Sequence, residues 1–176
     1  MLFRSYVEMT CRVMEAFGVD VQLREQGEAE VAADQKYKPC NYLVEPDASA
    51  ASYFWAAAAI CGGVVQVVGL SRDSLQGDIS FLEALSSMGC QVDYQSNGIS
   101  VIGPACRGID IDMADFSDTA QTLAIVALFV KGPTRIRGIA HNRVKETDRV
   151  GNLAIELRKL GAAVEESEDG LVIFPP

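Results

Sequence analysis

Two glycines recur along this 176-residue chain at one common interval. Gly18, Gly89 and Gly161 are separated by 71 and 72 residues, and so are Gly27, Gly98 and Gly170. A period of this kind marks repeated supersecondary units and takes precedence over any local reading. Each first glycine follows the last apolar residue of a helical pattern, where a left-handed C-cap is wanted. Each second glycine lies between two short strand patterns and suits a hairpin turn. The three copies read as helix, strand, strand. They are Met9–Phe17 with Val19–Leu23 and Glu28–Ala32, Phe81–Met88 with Gln91–Tyr94 and Ile99–Ile102, and Leu153–Leu160 with Ala163–Glu165 and Leu171–Phe174.

The upstream halves of the last two copies repeat as well. Asp47-Ala-Ser-Ala-Ala stands 71 residues before Asp118-Thr-Ala-Gln-Thr. Each aspartate opens an apolar helix, Ala48–Cys61 and Thr119–Lys131, followed by strands Val64–Val68 and Thr134–Ile139. The full unit is therefore strand, helix, strand, helix, strand, strand, and the fold class is α/β. Tyr53-Phe-Trp-Ala-Ala-Ala-Ala-Ile60 is apolar on nearly every face, which predicts a helix buried all round with sheets outside it. Strands such as Ile99–Ile102 alternate and suit a sheet with one solvated face. The first copy is only a half unit, so part of the array is expected upstream. The polar stretch Gln35–Asn41 predicts a boundary, dividing the chain into 1–44, 45–104 and 105–176.

Composition narrows the function. A net charge of −9 argues against nucleic acid, whose phosphates need a basic surface. The apolar runs Ala56–Cys61 and Leu123–Val130 are far shorter than the roughly 20 residues of a membrane helix. No secretory signal pattern opens the chain, so a cytoplasmic protein is expected. Cys11, Cys40, Cys61, Cys90 and Cys106 are scattered without a Cys-x-x-Cys pair, and one histidine, His141, cannot complete a zinc site with them. They read as reduced, mostly buried thiols, and no metal is predicted.

Basic residues concentrate in one place: Arg135, Arg137, Arg143, Lys145 and Arg149 could hold a small anion. Lys145 and Arg149, four apart, would share a face near a helix N-terminus, where cations are unfavourable unless an anion answers them. The plain alternative is a solvated turn balanced by Glu146 and Asp148. Asp118, at or next to a helix start, reads either as an N-cap or as a functional carboxylate, and Asp47 as a cap.

Four segments, Tyr42-Leu-Val-Glu-Pro-Asp-Ala-Ser-Ala-Ala-Ser-Tyr-Phe54, Leu75-Gln-Gly-Asp78, Asp118-Thr-Ala-Gln-Thr122 and Arg143-Val-Lys-Glu-Thr-Asp-Arg149, resemble consecutive motifs of the 5-enolpyruvylshikimate-3-phosphate synthase family, in order and spacing. The resemblance covers essentially the whole chain. It implies an inside-out α/β barrel of the enolpyruvyl transferase fold, with buried helices and outer sheets. It also implies transfer of the enolpyruvyl group of phosphoenolpyruvate to the 5-hydroxyl of shikimate 3-phosphate, without metal or organic cofactor. Asp118 would bind the shikimate hydroxyls and serve in proton transfer, Lys145 would contact the same hydroxyl region, and Glu146 would help protonate the enolpyruvyl carbon. Arg149 would grip the phosphoenolpyruvate carboxylate with its guanidinium fork. Tyr6 would lie against the shikimate ring, a core tyrosine being the alternative.

His141 stands where many family members carry an asparagine touching the shikimate part, and Asn142 is a second source of that amide. Other family motifs, among them Asn-Ala-Gly-Thr, Ser-Ser-Gln and Gly-Asp-His-Arg, do not occur in the chain. Little or no activity of the chain alone is therefore expected. Two other readings stand beside this one: the sister transferase acting on UDP-N-acetylglucosamine, and a noncatalytic fragment. An unfinished repeat array leaves faces uncovered, which favours self-association.

Overall fold

The computed structural model describes residues 4–24 and 28–176. Gly27, the hairpin glycine of the first copy, and the first three residues lie outside them. The chain opens with helix α1 (Arg4–Ala16) and a two-stranded antiparallel pair, β1 (Gln22–Leu23) and β2 (Ala29–Glu30). Cys11, Val19 and Val21 are buried together beneath Val7 and Met14, in a small apolar cluster separate from the main core.

The first full unit contains α2 (Ala48–Cys61), β3 (Gly63–Val68), α3 (Phe81–Ser87), β4 (Gln91–Gln95) and β5 (Gly98–Gly103). Its strands form an antiparallel sheet in the order β3-β5-β4. The second contains β6 (Asp110–Asp112), α4 (Ala120–Val126), β7 (Thr134–Arg137), α5 (Arg149–Lys159), β8 (Ala163–Glu166) and β9 (Leu171–Phe174). Here the order is β6-β7-β9-β8, with β6 parallel to β7 and the other pairs antiparallel. Removing β6 leaves the first sheet's plan, so the 71-residue repeat is a repeat of architecture.

The missing strand has a local cause. Residues 39–41, which the period sets against β6, form no strand and fall in the polar stretch Gln35–Asn41 that reads as a boundary. Pro39 has no N–H to give a ladder. The flanking residues turn to the α1 unit instead: Lys38 N donates to Phe17 O at 2.8 Å, and the Tyr42 and Phe17 rings lie 5.6 Å apart. Among the described residues one edge of β3 pairs with no strand, and Val64 and Val68 are exposed.

Helices α2 and α4 pack on one another, with the sheets outside them. Trp55, on α2, is completely buried and donates its indole N–H to Ile99 O at 3.2 Å. The expectation that α2 is buried all round is corrected. Tyr53 and Phe54 are 66% and 62% exposed, and Ile125 and Phe129 of the neighbouring helical segment are exposed as well.

The glycine reading holds in part. Gly18, Gly89 and Gly161 have φ of 83°, 110° and 95°, the left-handed conformation that a C-terminal cap requires. Gly98 and Gly170 border hairpins as expected, but close approach explains them. A Cβ at Gly170 would stand 1.9 Å from Ile136 O, and one at Gly98 2.3 Å from Val67 O. The cysteines depart from expectation, since Cys11 and Cys90 are buried while Cys40, Cys61 and Cys106 are exposed. No helix among the described residues is long and apolar enough to cross a membrane.

Candidate functional site

The two repeat-related aspartates have different surroundings. Asp47 is a true N-cap, its carboxylate accepting from Ala50 N at 3.0 Å at the start of α2. Asp118 sits in a 3₁₀ turn, Ser117–Thr119, that leads into α4 and makes no side-chain cap. Its carboxylate is taken by three side chains from elsewhere. Tyr6 of α1 donates its hydroxyl to Oδ2, Lys145 donates its ammonium to Oδ1, and Arg149 Nη1 reaches Oδ1 at 3.0 Å. Capping thus accounts for Asp47 and not for Asp118.

Lys145 and Arg149 do not share a helix, contrary to the four-residue argument. A 3₁₀ turn spans Ala140–Val144, Lys145 follows it in a non-helical conformation, and α5 begins only at Arg149. Asp148 starts that helix by accepting from Val150 N and Gly151 N at 3.1 and 2.9 Å. The turn, not helical spacing, brings both cations onto one carboxylate. Arg143 and Arg137 are removed from the anion-binding set, because both have structural partners. Arg143 bonds Asp148, Glu166 and the carbonyls of Ser167 and Glu168, and Arg137 bonds Asp110 at 2.7 Å.

Burial alone would raise the pKa of Asp118, but hydrogen bonds from Lys145 and Tyr6 and the charges of Lys145 and Arg149 outweigh it. Its carboxyl is held below the ordinary range and is ionised at neutral pH. Tyr6 is pushed the other way, first by burial and then by the hydrogen bond to Asp118, so it keeps its proton and donates. Glu146 is largely exposed and pairs with Arg149 Nη2 at 2.5 Å. Its own backbone N–H and the Arg149 guanidinium lower its pKa.

His141 is 7% exposed, and its Nε2 lies 2.7 Å from Ser117 Oγ. Burial, then the Lys145 charge, favours its neutral form. Asn142 is 1% exposed and donates from Nδ2 to Ser117 O at 3.0 Å, while its Oδ1 has no partner. The pair grips both polar ends of the residue next to Asp118. Ser117 had no role in the sequence reading, because the signal is a contact across 24 residues of chain.

Asp78 was legible only as part of a motif. It is 8% exposed, accepts from Ser49 Oγ, and lines a cavity of about 120 Å³ with Tyr6, Ser49, Gln76, Phe116 and Ser117. Burial raises its pKa, the Ser49 bond opposes this, and the charges of Asp118 and Asp47 add to the rise. A raised native pKa stabilises the fold below the free-carboxyl value of 3.8, and that contribution is lost as pH rises through the native value. Asp78→Asn is therefore expected to raise unfolding free energy at pH 7 by about 1 kcal/mol. Below pH 3.8 the gain should vanish; urea denaturation at both pH values checks the sign.

Comparison with known proteins gives the family. The family model for EPSP synthase (3-phosphoshikimate 1-carboxyvinyltransferase) matches residues 2–176. The chain is 49% identical over 173 residues to the 3-phosphoshikimate 1-carboxyvinyltransferase of Nostoc sp., covering 98% of this chain and 41% of that protein. It is 50% identical over 181 residues to the chloroplastic enzyme of that name from Arabidopsis thaliana, covering 97% and 35%. Among solved structures, EPSP synthase from Acinetobacter baumannii superimposes with a TM-score of 0.78 at 28% identity, over 93% of this chain and 39% of that one. The enolpyruvyl transferase NikO from Streptomyces tendae, at 19% identity and a TM-score of 0.70 over 94% and 39%, shares the fold. The chain spans about two fifths of the Nostoc relative's length, and with its matched family model, its close relatives and its α/β architecture it belongs to the EPSP synthase (3-phosphoshikimate 1-carboxyvinyltransferase) family.

Proposed function

We propose that this chain supplies the shikimate-binding and part of the phosphoenolpyruvate-binding side of a transferase that moves an enolpyruvyl group to the 5-hydroxyl of shikimate 3-phosphate and releases phosphate. The observation that carries the reading is the convergence of Tyr6, Lys145 and Arg149 on the ionised, part-buried Asp118. An ionised carboxylate accepts hydrogen bonds from substrate hydroxyls, and a base is needed for the one that attacks. Lys145, already on Asp118, adds a donor to the same region.

Arg149 has the fork that a substrate carboxylate requires. Asp118 and Glu146 bond it in this structure. A phosphoenolpyruvate carboxylate would draw the guanidinium from Glu146 and remove one of the influences that lower its pKa. Glu146 would then be better able to carry a proton to the enol methylene. Tyr6, its hydroxyl on Asp118, would lie against the shikimate ring. In this reading residues 1–44 close one domain, while 45–104 and 105–176 are two units of another. Turnover requires groups beyond those supplied by these residues, so binding rather than catalysis is the direct readout for the chain.

Calorimetric titration tests this reading. Saturable binding of shikimate 3-phosphate is expected, on the order of millimolar, with shikimate itself weaker and UDP-N-acetylglucosamine silent. Binding of the sugar nucleotide with no response to shikimate 3-phosphate would assign the site to the sister transferase reaction.

A further inference from the structure

The Leu75-Gln-Gly-Asp78 motif has no place in the chemistry above, yet it makes a dense set of bonds to one short segment. Glu45 accepts from Leu75 N with both carboxylate oxygens, each at 3.1 Å. Gln76 Nε2 donates to Glu45 Oε2 at 3.2 Å and to Pro46 O at 2.6 Å, and its Oε1 accepts from Ala48 N at 2.8 Å. Asp78 accepts from Ser49 Oγ. One loop therefore binds residues 45, 46, 48 and 49 in succession. Gln76 uses both ends of its amide and holds two carbonyl or carboxylate oxygens and one amide of the segment.

That segment joins the two apolar clusters. Cys11, Val19 and Val21 lie on its upstream side and the main core on its downstream side. Two cavities separate α1 from the body, and Met9 and Gln76 line both. With little packing between the parts among the described residues, the direction in which the chain enters α2 sets where α1 lies. Tyr6 on α1 is the residue that reaches Asp118.

We propose that Gln76 is a positioning residue: by fastening Glu45, Pro46 and Ala48 it fixes the orientation of α1 and so holds Tyr6 on Asp118. The consequence for ligand binding rests on the function proposed above, whereas the consequence for geometry does not. Cys40, whose Sγ bonds Ala16 O, and Cys61, at the end of α2, are exposed on the two sides and can carry nitroxide labels once Cys106 is replaced by serine.

Double electron–electron resonance on that labelled chain should give a narrow distance distribution. Gln76→Ala should broaden it about twofold and weaken shikimate 3-phosphate severalfold. Gln76→Glu sets two carboxylates against each other and should broaden it further. Combining Gln76→Glu with Glu45→Gln gives residue 45 the donor and residue 76 the acceptor, while Pro46 O still lacks its donor, so the distribution should narrow part of the way back from that of Gln76→Glu, which a merely destabilised fold would not do. A folded Gln76→Ala chain with an unchanged distribution overturns the proposal. If Gln76→Ala does not fold, the exchanged pair decides: a distribution narrower than that of Gln76→Glu alone supports positioning, and one equally broad overturns it. A wild-type chain that ignores shikimate 3-phosphate refutes the functional reading, and the distance measurement still decides the role of Gln76.

Discussion

Asp118→Ala is expected to abolish measurable shikimate 3-phosphate binding, a loss of at least about 100-fold, corresponding to roughly 2.8 kcal/mol. The carboxylate is shared by Tyr6, Lys145 and Arg149, so its removal takes away the hydroxyl acceptor and an anchor of the donors together. It also leaves two partly buried cations facing each other, their side chains only 15% and 26% exposed. Complete burial would make this cost several kcal/mol; solvent access lowers it to about 1–2 kcal/mol. The isosteric Asp118→Asn separates charge from shape. Because the native pKa of Asp118 is depressed, its ionised form contributes stability fully above the free-carboxyl value of 3.8, and this is lost as pH falls through the native value. Stability curves of wild type and Asp118→Asn should therefore differ at neutral pH and converge in acid below 3.8. Calorimetric titration with chemical denaturation across pH reads both effects.

Trp55→Ala should be the most destabilising single change in the scaffold. Trp55 is fully buried between α2 and β5 and is the chain's only tryptophan. Truncating a buried tryptophan costs about 3–5 kcal/mol through lost transfer energy and the cavity left behind. At this chain length that is roughly a 10 °C fall in unfolding midpoint. Trp55→Phe fills most of the space but leaves Ile99 O without its donor, and should cost about 1–2 kcal/mol. Thermal unfolding followed by circular dichroism compares the two. A smaller loss for Trp55→Ala than for Trp55→Phe would mean that the core is not organised around this side chain.

Much of the architecture was legible because it is periodic. The helix at Ala48–Cys61 has the predicted bounds, since apolar composition, an aspartate cap and a closing glycine agree there. Agreement across such levels is what makes a local reading reliable. The strand that opens the 105–176 unit has no counterpart ahead of α2, because residues 39–41 fall in the polar stretch Gln35–Asn41, where Pro39 and the contact of Tyr42 with Phe17 determine where the chain goes. The site divides similarly. Residue types and motif order pointed to Asp118, Lys145, Glu146 and Arg149, but their convergence depends on a turn whose geometry no spacing rule supplies. The helical argument for Lys145 and Arg149 reached the right neighbourhood for the wrong reason. The Ser117 contacts of His141 and Asn142, and the bonding of Gln76 to the segment from Glu45 to Ala48, span about 24 to 31 residues of chain and leave no local signature.

The most direct test of the central claim is amide chemical-shift mapping during titration of the labelled chain with shikimate 3-phosphate. The account predicts saturable shifts centred on Ser117–Thr119 and Lys145–Arg149, with Tyr6 responding alongside them and none of these changes in Asp118→Ala. Shifts that gather elsewhere, or that persist unchanged in Asp118→Ala, would contradict it.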